Sequence, residues 1–544
     1  MTQDPDYPAR RAQRTRAADE LCRAAFAEVD CPETGVALVA VGGYGREELA
    51  PCSDLDVVLV HDDGVEVGAW AAAVWYRLWD SGERIDHAVR SLPEALEQAA
   101  DDLKVALGML DLRHLAGDPN LTLRLRTALL AAWRRDARRR LPALRTLMLD
   151  RGRRTGELAD AAVPNLKEST GGLRDATVLK ALVATWLVDV PHVDLERSRA
   201  ALLDARDALH TVTGRSTDRV APEDWADLAR ALGLPGPLAA QQHVRAIGRR
   251  ITHLGRLTWR RVDAVLRPPP PVLRRRRPSL EPLPGDVAIS HEEVVLGVRA
   301  RPDRDPLLLL RAAAEAAERD LVLAPTTAAR LARHAPSIPE PWPVEARALL
   351  VRLLGAGRSL LPVWETLEET GATDRLLPEW SRVRLLPHAS VVHRFTVDRH
   401  LVETCIEAAA LAARVSRPDL LLVGGLLHDI GKGADGDHSA LGAPVARQIG
   451  IRLGFDERSV DVLALLVRRH LLLPETATTQ DLRDPGTVRA VLAHIGDRDE
   501  LELLAALTEA DARATSEKAW SRWRADLVAE LVDQARAALP PSRA

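Results

Sequence analysis

The spacing of apolar residues changes character along the chain. Between residues 35 and 91 the short runs GVALVAV and LDVVLV predict strands, a helical stretch through Trp70, Trp75 and Leu78 follows, and RIDHAVRS returns to strand. From about 97 to 266, leucine, alanine and arginine recur at helical spacing around one polar interruption, VPNLKESTGGLRD, so this region is expected to be helical. The stretch RPPPPVLRRRRPSLEPLPGD, residues 267–286, joins a proline run to the block Arg274–Arg277 and predicts a linker that packs as neither helix nor strand. Docking of an acidic partner or RNA on those arginines is the alternative. GDVAISHEEVVLGVRA predicts a short hairpin, after which helices resume at Pro306 and run to the end. No solenoid-type repeat is visible.

Composition narrows the class. At 544 residues, 46% of them hydrophobic, the chain exceeds one domain, and a usual ~150 residues per domain gives about three or four units. Lys+Arg 74 against Asp+Glu 78 leaves a net charge of -4, so no overall basic field points to a nucleic-acid partner. Four cysteines, Cys22, Cys31, Cys52 and Cys405, form neither a disulfide framework nor a metal knuckle and predict a reducing, cytoplasmic setting. The N-terminus has no signal-peptide core, and no run approaches the ~18 apolar residues of a membrane span, so no membrane partner is expected. Basic charge is carried almost wholly by arginine; lysine occurs only at Lys104, Lys167, Lys180, Lys432 and Lys518. Lys167 and Lys432 fall in polar, glycine-containing motifs, where a compact ammonium is not interchangeable with a guanidinium fork.

The segment from Val41 to Asp56 reads as a strand, a glycine turn and a second strand. Asp54 and Asp56 are two apart, which on a strand projects both carboxylates from one face, with Leu55 and Val57 on the other. Aligned carboxylates beside a phosphate site can hold magnesium, or manganese, completed by substrate phosphates. Gly42 and Gly43 would let backbone amides approach a triphosphate, and Ser53 adds a hydroxyl. A Rossmann glycine motif should lead into a helix, whereas this one runs to Ser-Asp-Leu-Asp, and the Walker lysine is missing. Asp86, in RIDHAVRS, is the candidate third carboxylate, or else the partner of a nearby arginine. Lys167, Arg174 and the Gly171-Gly172 turn either reach the phosphates of a bound triphosphate or brace these strands against the helices.

Seven of the sixteen histidines lie between 388 and 494. His428-Asp429 follows the apolar run LLLVGGLL, where an unpaired imidazole and carboxylate would be costly and a metal would satisfy both. Further ligands are expected from other helices: His400 before it and Asp511 after it. Lys432, four residues past His428, shares its helical face if the helix continues and would hold or polarise a phosphate oxygen. His438 and His470 are candidates for a second metal or the substrate phosphate, with a plain structural role as the alternative. His388, His393 and His494 stay unassigned.

GGYGREELAPCSDLD resembles the nucleotidyltransferase superfamily and, in this extended form, the bacterial protein-PII uridylyltransferase/uridylyl-removing enzymes, which carry a stretch similar to PNLKESTGGLRD after the palm. His400, His428, Asp429 and Asp511 resemble the H…HD…D set of HD phosphohydrolases. Some members of the family have Glu where this chain has Arg84. The resemblance implies an α+β multidomain chain: a nucleotidyltransferase α/β palm with flanking helices over 1–140, a helical PII-uridylyltransferase-type domain over 141–266, the linker over 267–286, a mixed connecting segment over 287–385 and an all-α HD domain over 386–544. It also implies UMP transfer from UTP to a tyrosine of the PII nitrogen signal protein, and hydrolysis of that bond at the HD site. Glutamine is the effector that acts in the family through paired C-terminal ACT domains, for which this chain leaves no room. Transfer of AMP from ATP, an HD-only hydrolase with a sensory palm, and a non-catalytic PII-binding adaptor are the alternatives.

Overall fold

The computed structural model describes residues 6–29, 31–32, 34–267, 280–388 and 394–540. Two compact units divide the chain, Met1–Pro270 and Pro271–Ala544. The Arg274–Arg277 block and His393 lie outside the described residues. The fold class is α+β and multidomain, with two small sheets among helices. Among the described residues no helix is long and apolar enough to cross a membrane.

The first unit is built on strands β1 (Val36–Ala40), β2 (Leu55–His61), β3 (Ile85–Ser91) and β4 (Arg113–Gly117), ordered β3-β2-β1-β4. β1 runs antiparallel to β2 and to β4, and β2 parallel to β3. Strand periodicity explains why β1 is apolar at every position. Val36, Leu38 and Ala40 enter one core with the helices Tyr7–Ala27 and Gly68–Asp80, while Ala37 and Val39 enter a second core with the helical bundle. β4 departs from the expected helical stretch over 97–266. Its five residues form a strand because β1 offers an edge to pair with, a partner invisible to local periodicity.

The polar interruption VPNLKESTGGLRD packs against the bundle. Asp175 is buried, pairs with Arg151 and accepts a hydrogen bond from the Gly171 amide at 2.7 Å. Gly171 has φ 85, and a Cβ there would lie 2.3 Å from the Gly248 carbonyl oxygen on the helix Pro237–Leu266. Gly171 therefore braces loop against helix, while a Cβ on Gly172 would meet the Ser169, Leu166 and Lys167 carbonyls of the loop itself.

The second unit has one continuous core running from Val287 to Ala535. Its sheet orders β5 (Glu281–Pro282), β6 (Val287–Ser290), β7 (Glu293–Leu296) and β8 (Val322–Leu323) consecutively, and β6–β7 is the expected hairpin. β5 corrects the linker expectation at its far end: Glu281 and Pro282 pair with Ile289 and Ala288, because an edge position tolerates proline.

Gly171→Ala should lower the stability of the first unit by about 2–4 kcal/mol, from a left-handed backbone strained by a side chain plus a backbone clash. Urea unfolding followed on that unit should show the lower midpoint.

Candidate functional site

Each unit gathers one set of chemically competent side chains. In the first, the register of β2 and β3 sets Asp56 directly beside Asp86. Neighbours across parallel strands project from the same face, so two carboxylates from different strands converge. Asp56 shares its parity with Val58 and Val60, which enter the core made with the bundle, so its carboxylate points toward the helices. Burial, then the repulsion of Asp86 and, more weakly, Asp54, pushes the Asp56 carboxyl above its usual range, against the opposing pull of Lys167 and Arg46. A cation placed there would relieve that repulsion.

Asp54 corrects the strand reading. It precedes β2, is exposed, and pairs with Arg84 Nε at 2.9 Å. The glycine turn is also different in form: residues Gly42–Gly45 make one helical turn. Gly42 has φ 58, and a Cβ on it would stand 2.7 Å from Asp56 Oδ2, so this glycine makes room for the carboxylate itself. A Cβ on Gly43 would meet nothing within 4 Å, which leaves that backbone open to approach.

A cleft of about 280 Å³ lies over these residues, lined by Gly42, Gly43, Asp56, Lys104, Lys167 and Arg174 among others. Six basic side chains line it beside two carboxylates, Asp56 and Glu168, a balance suited to a polyanion. Arg174 pairs with Glu168 at 2.6 Å while still lining the cleft. The polar loop thus divides its labour, with Lys167 and Arg174 at the cleft and Gly171 at the brace. Ser53 does not line the cleft; its hydroxyl accepts hydrogen bonds from the Ala50 amide at 3.0 Å and Arg206 at 3.4 Å. No motif marks Lys104 in the sequence, and the scarcity of lysine is the one signal that points to it.

In the second unit, His400 comes from the helix Val397–Leu411 and Asp511 from the helix Arg498–Thr515. His428 ends the helix Pro418–Leu427, and His470 ends Glu457–Arg469. Both rings donate Nδ1–H to a carbonyl three residues back, Gly425 and Val467, each at 2.9 Å. A carbonyl can only accept, so both Nε2 lone pairs are left to face inward. His400 Nε2 stands 2.9 Å from Asp511 Oδ1 and 3.2 Å from His428 Nε2. Asp429 Oδ2 is 3.6 Å from His428 Nε2, while Asp429 Oδ1 is 3.3 Å from His438 Nε2 and 3.6 Å from His470 Nε2.

Asp429 therefore belongs to two groups of possible metal ligands, one with His400 and His428 and one with His438 and His470. Burial first lowers His428 to about 4, so the ring is neutral near pH 7. Burial alone would raise Asp429 and Asp511, but the surrounding imidazoles, with Lys432 beside Asp429, outweigh it and hold both carboxyls well below their usual range. Neutral imidazoles around ionised carboxylates are the donor set a divalent cation takes, and the residues fit one.

Lys432 departs from expectation in its backbone. The helix stops before His428 and turns follow, so Lys432 is not one helical turn along. The turns instead bring its Nζ 2.5 Å from Asp429 Oδ2 and 3.3 Å from His388 Nδ1. His388, previously unassigned, stands at this centre, its ring 5.5 Å from that of His400. His494 is held outside it by Arg469 at 3.0 Å.

A family model described as GlnD PII-uridylyltransferase matches residues 142–259, and the HD domain model matches 397–516. The chain is 50% identical over 543 residues to a bifunctional uridylyltransferase/uridylyl-removing enzyme of Streptomyces coelicolor, covering 96% of this chain and 64% of the relative. A relative of the same description from Mycobacterium tuberculosis is 43% identical over 521 residues, covering 92% and 64%. One from Corynebacterium glutamicum is 35% identical over 500 residues, covering 90% and 70%. The chain thus spans about two thirds of the length of these curated relatives.

Because Asp429 serves both ligand groups, Asp429→Asn should strip most of the metal from the second unit, whereas His470→Ala should remove no more than about half. Elemental analysis of purified, dialysed protein reads the difference.

Proposed function

The chain belongs to the family of bifunctional uridylyltransferase/uridylyl-removing enzymes, and from that premise we propose that its two units make and break one phosphodiester. The first unit transfers UMP from UTP to a tyrosine hydroxyl of a PII signal protein; the second hydrolyses that tyrosyl-UMP bond. The observation that carries this reading is that each unit holds its own centre, carboxylates under a basic cleft in one and a buried His/Asp cluster in the other.

Magnesium or manganese, bound by Asp54, Asp56 and Asp86 in one unit and by the His/Asp cluster in the other, would supply phosphate charge neutralisation and an acidified attacking oxygen. In the cleft, Lys104, Lys167 and Arg174 hold the triphosphate oxygens and keep the α-phosphorus in place. The tyrosyl oxygen bonds to that phosphorus, the bond to the β-phosphate breaks, and pyrophosphate leaves. The hydroxyl proton departs to solvent or to a nearby carboxylate.

In the second unit a water oxygen bonds to the phosphorus, the bond to the tyrosyl oxygen breaks, and that oxygen takes up a proton. Lys432, set between Asp429 and His388, holds a phosphate oxygen. The inward Nε2 atoms of His428 and His470, fixed by their backbone bonds, keep the cluster oriented as the phosphodiester enters.

Asp56→Asn or Asp86→Asn should reduce labelling of PII from radioactive UTP by about 100-fold or more while leaving release of UMP from labelled PII intact. His428→Ala or Asp429→Ala should do the reverse. Unimpaired labelling by the Asp56/Asp86 double variant, or unimpaired release by the His428 variant, would overturn the assignment of that unit.

A further inference from the structure

Asp54 lies in a turn, with no ladder partner of its own, so its direction depends on what holds residues 50–54. The Ser53 amide donates to Ala50 C=O at 3.0 Å, which closes the turn but does not orient it. Orientation comes from the segment His210–Asp218, distant in sequence. The Cys52 amide donates to His210 Nδ1 at 3.3 Å. That nitrogen must carry a lone pair, so the ring proton sits on Nε2, which faces Asp218 Oδ1 at 3.4 Å. Arg206 Nε donates to the same oxygen at 2.6 Å, and another of its nitrogens reaches Ser53 Oγ at 3.4 Å. Arg84, which pairs with Asp54, bonds Cys52 C=O and also Ser216 Oγ at 3.2 Å.

The loop that lines the cleft is tied to the same residue. Leu166 N–H donates to Asp218 C=O at 2.8 Å, and Val220 N–H donates to Pro164 C=O at 3.0 Å, fixing the loop that presents Lys167. Burial would raise the Asp218 carboxyl, but His210 and Arg206 outweigh it and bring it down to about 2, so it is ionised at any working pH.

We propose that Asp218, acting through His210 and Arg206, is a positioning residue of the nucleotidyl-transfer centre: its side chain orients the Cys52–Asp54 turn while its backbone orients the Lys167 loop, together shaping the site for a metal–nucleoside triphosphate. This rests on the reading of the first unit given above. Asp218 is not among the cleft-lining residues; it acts through the turn that carries Asp54 and the loop that carries Lys167.

The test uses the full chain. Calorimetric binding of UTP in the presence of Mn²⁺ is measured beside kcat and KM for PII labelling, in the parent protein and in His210→Ala, His210→Asn, Asp218→Asn and Leu202→Ala. Leu202 is buried on the helix His192–Thr213, which also carries His210, and has no bond to the turn, so it reports general loosening. His210→Ala and Asp218→Asn should weaken Mn²⁺–UTP binding about 10-fold or more and lower kcat with little change in KM for PII. His210→Asn keeps an acceptor at the Nδ1 position and should recover much of the loss. Parent-like binding in His210→Ala, no recovery in His210→Asn, or an equal loss in Leu202→Ala at matched thermal stability would each overturn the inference. A parent protein that binds Mn²⁺–UTP but does not label PII would refute the proposed substrate while leaving the positioning role to be judged on binding; one that binds no Mn²⁺–UTP would refute both.

Discussion

A buried carboxylate needs positive charge close by, and Asp429 shows how far that constraint shapes the second unit: Lys432 supplies one charge, and the inward lone pairs of His428 and His470 leave the remainder to a cation. Asp429 is buried, yet His428, His438, His470 and Lys432 all direct nitrogen atoms at its two oxygens. Those four come from separate helix ends and turns, so gathering ligands around one carboxylate ties together the places where several elements finish. Two helices end at their histidine, and in both cases the ring ties itself to the preceding turn and leaves its other nitrogen for the centre. Removing one partner from such a cluster exposes the others to an uncompensated charge.

The first unit meets the opposite difficulty. Asp56 and Asp86 are brought together by parallel pairing and repel, while the surrounding cleft is basic. Arg46, Arg151 and Arg174 have carboxylate partners, whereas Lys104, Arg154 and Lys167 leave a positive excess beside the Asp56–Asp86 pair. A polyanion accompanied by a cation answers both excesses at once, which is why the arrangement makes sense as a nucleotide site and poor sense as a structural ion-pair network. Gly42 is part of the same solution, since any side chain there would occupy the space of the Asp56 carboxylate.

Much of the candidate chemistry was legible before the fold. The pairing of Asp56 with Asp86 was anticipated from an apolar strand followed by RIDHAVRS, and His400, His428, Asp429 and Asp511 do converge. What failed had a common cause. Periodicity predicts helix for strand β4 because its partner lies more than seventy residues away in sequence, the condition that the helix continue to Lys432 is not met because it stops at Leu427, and Asp54 precedes by one residue the strand on which its spacing sets it. Local pattern reports what a segment can do, and element ends are decided by what packs against them.

The sequence alone determined which residue types are available and in what order: aspartates two apart, a His-Asp pair after an apolar helix, a lysine within a glycine-rich loop. These follow from covalent order and short-range sterics. Tertiary structure decided which of them share a site, whether each carboxylate is paired or free to take a cation, and that Asp218 links the turn before Asp54 to the Lys167 loop. Such decisions depend on hydrogen bonds and burial between residues far apart in the chain, energies that exist only once those residues are brought within a few ångströms.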